Sequence, residues 1–256
     1  MSVRMPWAKR ALDLLVAILF LPLWGSVLVI VGAANLAANG LPVFYVSRRR
    51  VYGGHSAAVI KFRTMVRKAD RIANRETVPV TDQRFLNIGL DSPLYTPLGR
   101  VIERCFLTEV PQFLNVLTGS MSLIGNRPLP EDVISALKEV YPDAEQRFAT
   151  RCGLSGPVQL VGRDVISDGD RLRLEIAYAR RCVRAYSVIL DLMLALQTLL
   201  ILARIRRPMS VADMAARLDA WAEPFAQARS AELLGKQDSD SAAHEKTGGS
   251  PGEHLL

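Results

Sequence analysis

Residues 14–34, LLVAILFLPLWGSVLVIVGAA, contain no charge and a single hydroxyl, and no other feature of the chain restricts its fold so strongly. As a straight helix the run extends about 30 Å, the thickness of a bilayer's hydrocarbon core. A cleaved leader would use Arg4, Lys9 and Arg10, the apolar run and a small-residue site near Ala37-Ala38. Against it, the run is longer than an ordinary leader's apolar region and Pro22 interrupts its middle. A spanning helix fits the length. The flanks favour a third arrangement: Lys9 and Arg10 precede the run, Arg48-Arg49-Arg50 follow it, and basic residues beside membrane segments prefer the cytoplasmic side. A re-entrant hairpin puts both basic flanks on that side. Pro22 removes a helical hydrogen bond and Gly25-Ser26 loosens the backbone, so a bend there costs little.

The remainder of the chain narrows the chemistry. Among its 256 residues Arg outnumbers Lys 26 to 6, and the net charge is +7. The planar Arg fork grips phosphate bidentately, which fits phosphorylated ligands or an anionic membrane. A codon bias would give the same count, so position has to decide. No zinc-finger spacing, RNP-like stretch or basic helix with interleaved aromatics is present, and nucleic acid is not expected as a partner. Cys105, Cys152 and Cys182 are odd in number and widely spaced, which indicates neither a disulfide framework nor a zinc site. The histidines are His55, His244 and His254, the last two in a polar tail. An enzyme built from this chain must therefore work with carboxylates, hydroxyls, Arg and Lys, with or without a metal ion.

From Leu41 the sequence reads as an α/β domain, mostly helical with a few short strands. Strands are expected over Leu41–Tyr45, Ala57–Phe62 and Pro157–Val161. Helices are expected over Leu98–Arg104, from Pro111 to a stop at Gly119, over Glu131–Val140 and over 168–184. A second apolar stretch, Ser187–Ala203, places Asp191 and Thr198 on one helical face with Gln197 beside them, and Arg204, Arg206 and Arg207 close it. It reads as an interfacial helix with its cations on lipid phosphates, a buried core helix being the alternative. These readings divide the chain into a membrane-anchoring segment (1–40), a globular domain (41–207), and a C-terminal helix with a polar tail (208–256).

The chemistry concentrates in TEVPQFLNVLTGSMSLIGNRPLP, residues 108–130. Thr108 and Glu109 stand at an expected helix N-terminus, where unpaired N–H groups favour anions. A Thr cap with an acidic first turn is the plainer account of that pair alone. The wider ordered set adds to it. Lys9-Arg10 and Asp13 precede the apolar run, and Pro42-Val43-Phe44, Lys61-Phe62-Arg63-Thr64-Met65 and Leu98-Gly99-Arg100 follow. Glu109-x-Pro111-Gln112-x-x-Asn115-Val116-Leu117 and Gly119-x-Met121-Ser122-Leu123-x-Gly125-x-Arg127-Pro128-Leu129 form the centre, with Gly153-Leu154-x-Gly156, Gln159, Gly162-Arg163, Asp191-Leu192 and Thr198 beyond. In this pattern, from Lys9 to Thr198, the chain resembles the bacterial sugar transferase family, the monotopic polyprenyl-phosphate phosphoglycosyl transferases.

The resemblance implies transfer of a sugar-1-phosphate from a UDP-sugar to undecaprenyl phosphate, with Mg²⁺, at the cytoplasmic face of the bacterial inner membrane. The product would start a lipid-linked glycan for capsule, exopolysaccharide or O-antigen. It marks Glu109, Thr108 and Arg127 as catalytic candidates, Glu109 also as the metal ligand, and Lys61, Arg63, Arg104, Gln112, Asn115, Gln159 and Arg163 as substrate or phosphate contacts. Inner-membrane lipids are implied partners, and a homo-oligomer is left open. Three departures stand out. The family writes Asp-Glu, with Asp as nucleophile, where this chain has Thr108-Glu109; it writes Gly-Pro-Arg-Pro where this chain has Gly125-Asn126-Arg127-Pro128; and its kinking Ser-Pro pair is replaced by Gly25-Ser26 with Pro22 one turn earlier. A threonine hydroxyl is a poor nucleophile without a neighbouring base. Direct attack by the lipid phosphate, without a stable enzyme adduct, is therefore the expected route, and a catalytically silent scaffold is the alternative.

Overall fold

The computed structural model describes residues 5–72, 88–161, 166–184 and 186–220. The apolar run is helical on both sides of a break at Phe20, forming α1 (Trp7–Leu19) and α2 (Leu21–Asn39). The break falls at Phe20 instead of Gly25-Ser26 because Pro22 lacks an N–H and suits the first turn of a new helix. Trp24 Nε1 donates to the Ala17 carbonyl at 2.8 Å and fastens the two helices together. The Trp24 ring stacks on Phe113 with centroids 5.4 Å apart. α2 is long and apolar enough to cross a membrane, with mean hydropathy 1.8, and most of its surface is exposed.

Both ends of this helix pair are bonded to the globular part. Near the start of α1, Lys9 is fully buried and donates to the Ile124 carbonyl at 2.7 Å. Arg10 donates to the carbonyls of Val116 and Leu117, and Asp13 accepts from Ser122 Oγ and Leu123 N at 2.9 Å each. At the end of α2, Asn35 Nδ2 donates to the carbonyls of Val43 and Arg63 at 3.0 Å each.

β1 (Phe44–Tyr52) and β2 (His55–Phe62) form an antiparallel hairpin that pairs Phe44 with Phe62 and Arg49 with Ala57. β1 thus starts three residues later than expected and runs through Arg48-Arg49-Arg50. The period of two sends neighbouring arginines to opposite faces. Arg50 pairs with Glu131 and Glu145 on one face, while Arg49 lines a cleft on the other. After α3 (Ala69–Ile72) and the undescribed residues, α4 (Pro97–Arg104) is capped by Thr96 Oγ1, which accepts from Gly99 N at 3.0 Å. A Cβ at Gly99 would lie 1.8 Å from the Thr64 carbonyl oxygen, so only glycine lets α4 sit this close to the chain leaving β2.

The expected helix from Pro111 begins as a single 3₁₀ turn, Val110–Gln112, and becomes α-helical in α5 (Phe113–Thr118). Gly119 ends it at φ +80°, the stop the sequence indicated. β3 (Ser122–Ile124) pairs in parallel with β4 (Gly153–Ser155). α6 (Glu131–Val140) and α8 (Asp168–Arg184) occupy the expected ranges. Residues 157–161 are not a strand: they form α7 (Pro157–Val161), with Val158, Leu160 and Val161 buried. Five residues, four of them buried around a half-buried Gln159, are too few to show a period that separates the two states, and Pro157 suits a helical first position. α9 (Val188–Leu202) places Asp191, Gln197 and Thr198 against the body and leaves Ile189, Leu192, Leu196 and Leu199 exposed; α10 (Val211–Ala220) follows. Asn126 Nδ2 donates to the carbonyls of Arg147 and Glu175 at 2.8 and 2.9 Å, so this departure from the family pattern ties the loop before Arg127 to the buried Arg147–Glu175 pair.

Candidate active site

The end of β2 and the corner before the 3₁₀ turn are locked together by the main chain: Phe62 N donates to the Thr108 carbonyl at 3.0 Å. Asn115 extends the lock. Its Oδ1 accepts from Ile60 N at 3.2 Å and its Nδ2 donates to the Ala58 carbonyl at 2.7 Å, so one side-chain amide continues the ladder along β2. Lys61 is thereby held over the corner. Its Nζ lies 2.8 Å from Glu109 Oε1, and Arg127 Nη2 reaches the same oxygen at 2.6 Å. Arg49 joins from β1, donating to the Pro128 carbonyl at 3.2 Å.

These cations crowd one another. Burial and the neighbouring Arg127 and Arg49 charges push the Lys61 ammonium down to about 8, although Glu109 opposes the shift. Burial and Arg127 likewise lower the Arg49 guanidinium. Burial also works against the Arg127 charge, but its contact with Glu109 outweighs that and leaves the guanidinium above its usual value. Arg49, Lys61 and Arg127 outnumber Glu109 and Glu103, and a bound polyanion supplies the missing negative charge.

The corner opens into a cleft of about 570 Å³. Arg49, Lys61, Arg63, Arg67, Lys68 and Arg127 line it, with Glu103 as the carboxylate among the described lining residues. Pro42, Phe44, Tyr45 and Val66 form an apolar part of the wall, next to the end of α2.

The residues expected at the site separate on this geometry. Lys61, Thr108, Glu109 and Arg127 come together. Arg63 lines the cleft, but its guanidinium donates to the carbonyls of Asn39, Gly40 and Pro42 at 2.6–2.8 Å and closes the end of α2. Arg104 is exposed in the last turn of α4 and does not line the cleft. Asn115 serves the β2 ladder. Gln112 is buried, and its Nε2 has no hydrogen-bond partner among the described residues. Gln159 lies in α7, away from the cleft lining, where its Nε2 approaches the Leu154 carbonyl at 3.5 Å. Arg163 is outside the described residues.

Four charged residues of the cleft, Arg49, Arg67, Lys68 and Glu103, are not among those expected from the sequence. Arg49 could have been found from strand alternation through the triple arginine. Glu103 gives no such signal. It is brought to the site because the chain reverses at the end of α4, where Leu107 N donates to the Ile102 carbonyl and Phe106 adopts φ +58°, a conformation usually left to glycine. The reversal folds Thr108 back so that its hydroxyl donates to Glu103 Oε2. Thr108 therefore does have a carboxylate beside it, contrary to the expectation.

A metal site is implied only in outline. Among the described residues no group of three or more His, Cys, Asp or Glu side chains converges. Mg²⁺ needs no such cage where phosphates complete its shell, since one or two protein carboxylates suffice. The donors at this corner fit an ion that arrives with a diphosphate.

Residues 4–204 match the family model described as bacterial sugar transferase. The chain is 31% identical over 206 residues to an exopolysaccharide production protein, ExoY, of Rhizobium meliloti, covering 75% of this chain and 84% of that protein. It is 30% identical over 197 residues to the ExoY protein of Sinorhizobium fredii, with the same coverage of each. It is also 27% identical over 192 residues to the UDP-N-acetylgalactosamine-undecaprenyl-phosphate N-acetylgalactosaminephosphotransferase of Aeromonas hydrophila, covering 75% of this chain and 42% of that protein.

Proposed function

The chain belongs to the bacterial sugar transferase family and is a sugar-phosphate transferase, and from that premise we propose that it moves a sugar-1-phosphate from a UDP-sugar to undecaprenyl phosphate, releasing UMP. The observation that carries this reading is the sharing of Glu109 Oε1 by Lys61 and Arg127, with Arg49 close by and a basic cleft alongside. A nucleoside diphosphate brings the negative charge this cluster lacks. Phosphoryl transfer depends chiefly on charge neutralisation and alignment, which the cluster provides without histidine. Lys61 and Arg127 bind the diphosphate oxygens, and Arg49 adds charge from the strand. Glu109 orients both cations and is the residue to hold Mg²⁺. When bound, Mg²⁺ neutralises the charge that gathers on the phosphate oxygens in transfer.

The lipid acceptor requires the cleft to lie at a bilayer. We assign α1 and α2 to a re-entrant pair on the cytoplasmic face of the inner membrane, supported by the bonding of both ends to one body and by exposed apolar residues such as Leu15, Ile18, Leu23, Val29 and Ile30. The exposed face of α9, followed by Arg204, Arg206 and Arg207, is read as resting in the same interface. The apolar wall at Pro42, Phe44 and Tyr45 then faces the lipid side of the cleft. The product is the first lipid-linked sugar of an exopolysaccharide, capsule or O-antigen.

The test is UMP release from a panel of UDP-sugars by purified protein with polyprenyl phosphate and Mg²⁺. Release with at least one donor, dependent on the acceptor lipid for continued turnover, is expected. Silence with every donor would overturn the reading and favour a non-catalytic scaffold.

A further inference from the structure

Two carboxylates reach this site, and their surroundings differ. Glu109 Oε1 is shared by two cations, and withdrawing it to form a bond would strand Lys61 and Arg127 together. Glu103 lines the cleft, and among the described residues its hydrogen-bond partner is the neutral Thr108 hydroxyl. Its charge is also felt by Arg127, which places it within electrostatic reach of that guanidinium. The chain holds Phe106 at φ +58° to make the approach, and such backbone strain gathers at functional sites.

Resting on the transfer reading above, we infer that Glu103 is the nucleophile, and that Thr108 is the positioning residue that orients it. The Thr108 hydroxyl holds Oε2 and turns Oε1 towards the donor. In the first step a bond forms between the Glu103 carboxylate oxygen and the phosphorus next to the sugar. The bond from that phosphorus to the bridging oxygen breaks, and its electron pair leaves with UMP. In the second step an oxygen of the lipid phosphate attacks the same phosphorus and Glu103 departs as carboxylate. Neither step needs a proton.

The alternative use of this pair, with Glu103 as base and Thr108 as nucleophile, needs Glu103 to take the hydroxyl proton in the first step and return it to the departing oxygen in the second. Attack by Glu103 itself needs neither transfer, and a carboxylate is a better leaving group than a threonine oxygen. Direct transfer is the expected route when Thr108 has no carboxylate beside it, and Glu103 supplies one. With two carboxylates, attack and phosphate-site organisation fall to different residues.

The test uses full-length protein, Mg²⁺ and the panel of UDP-sugars labelled in the sugar, first without acceptor. A burst of UMP equal to the enzyme present is expected, with label on the protein. Arg104 lies between Glu103 and Thr108, so trypsin puts Glu103 on a different peptide from Thr108 and Glu109. Label on the Glu103 peptide, released by added polyprenyl phosphate, is the predicted result. Glu103→Gln, which can still accept the Thr108 hydrogen bond, should abolish the adduct and lower transfer by at least a hundredfold. Thr108→Val should slow transfer by roughly tenfold, the effect of one lost hydrogen bond, with label still on Glu103. Label on Thr108 or Glu109, transfer by Glu103→Gln within tenfold of wild type, or steady UMP release with acceptor but no burst before it, would each overturn the Glu103 assignment and leave the transfer reading standing. No UMP release by wild type under any condition would instead overturn the transfer reading, and this assignment with it.

Discussion

Lys9 and Asp191, 182 positions apart, form an ion pair at 2.5 Å with both side chains sealed from water. Tyr178 and Tyr186 donate their hydroxyls to the same carboxylate at 2.7 and 3.0 Å. One buried network therefore joins α1, α8 and α9, and with the Lys9 bond to Ile124 it reaches the end of β3. Removing one member of such a pair leaves an uncompensated buried charge, at a cost of roughly 3–5 kcal/mol. Lys9→Met should lose that much stability in detergent or nanodiscs, measured by denaturation or by resistance to proteolysis. Lys9→Met combined with Asp191→Leu should regain part of it. A single variant as stable as wild type would show that the network does not hold the anchor to the body.

With its ammonium lowered to about 8, Lys61 loses its charge in the free enzyme as the pH rises through that value. A cation that binds phosphate is needed in its protonated form, so kcat/KM should fall above pH 8. Bound donor adds negative charge and raises the Lys61 value, so the corresponding limb of kcat should lie at higher pH. Lys61→Arg should remove the limb from both profiles. A flat wild-type profile to pH 10, or a limb that persists in Lys61→Arg, would assign the titration elsewhere.

Arg127→Ala and Glu109→Ala test the cluster itself. An Arg–phosphate contact that strengthens as charge develops contributes a few kcal/mol, so each variant should lose transfer by about a hundredfold or more while remaining folded. Arg104→Ala, on the exposed end of α4 away from the cleft lining, should stay within a few-fold of wild type. The reverse order of effects would place the phosphate site on the other side of α4.

Topology can be read with single cysteines. In a Cys105→Ser background, Trp7→Cys and Leu41→Cys mark the two ends of the helix pair at exposed positions. A membrane-impermeant thiol reagent outside spheroplasts should reach neither, and both should react after lysis. Labelling of one end alone would establish a spanning segment.

What the sequence disclosed follows physical lines. Pro111 and Gly119 bracket the site helix through backbone geometry that single residues determine, and the charged rhythm of α8 leaves little choice of state. Lys61, Glu109 and Arg127 stand in the motifs that carry the family resemblance, and the structure brings both cations within 2.8 Å of Glu109 Oε1. β1 was cut short because a triple arginine reads as a flank until the partner strand shows that alternate members face different surroundings. α7 reads as a strand because five residues are too few to display a helical period. Asn115 and Arg63 read as ligand contacts because an amide and a guanidinium serve a backbone edge as readily as a phosphate. Glu103 was out of reach, since its approach to Thr108 depends on a left-handed turn at Phe106 that the sequence does not announce.

In the proposed reaction phosphorus travels with the sugar. A UDP-sugar carrying ³²P at the phosphorus next to the sugar, given to purified protein with Mg²⁺ and undecaprenyl phosphate, puts this to the test. The label should enter the organic phase with the sugar, in a diphosphate-linked lipid, while unlabelled UMP stays in water. Label retained in water as UDP, with the sugar alone on the lipid, would contradict it.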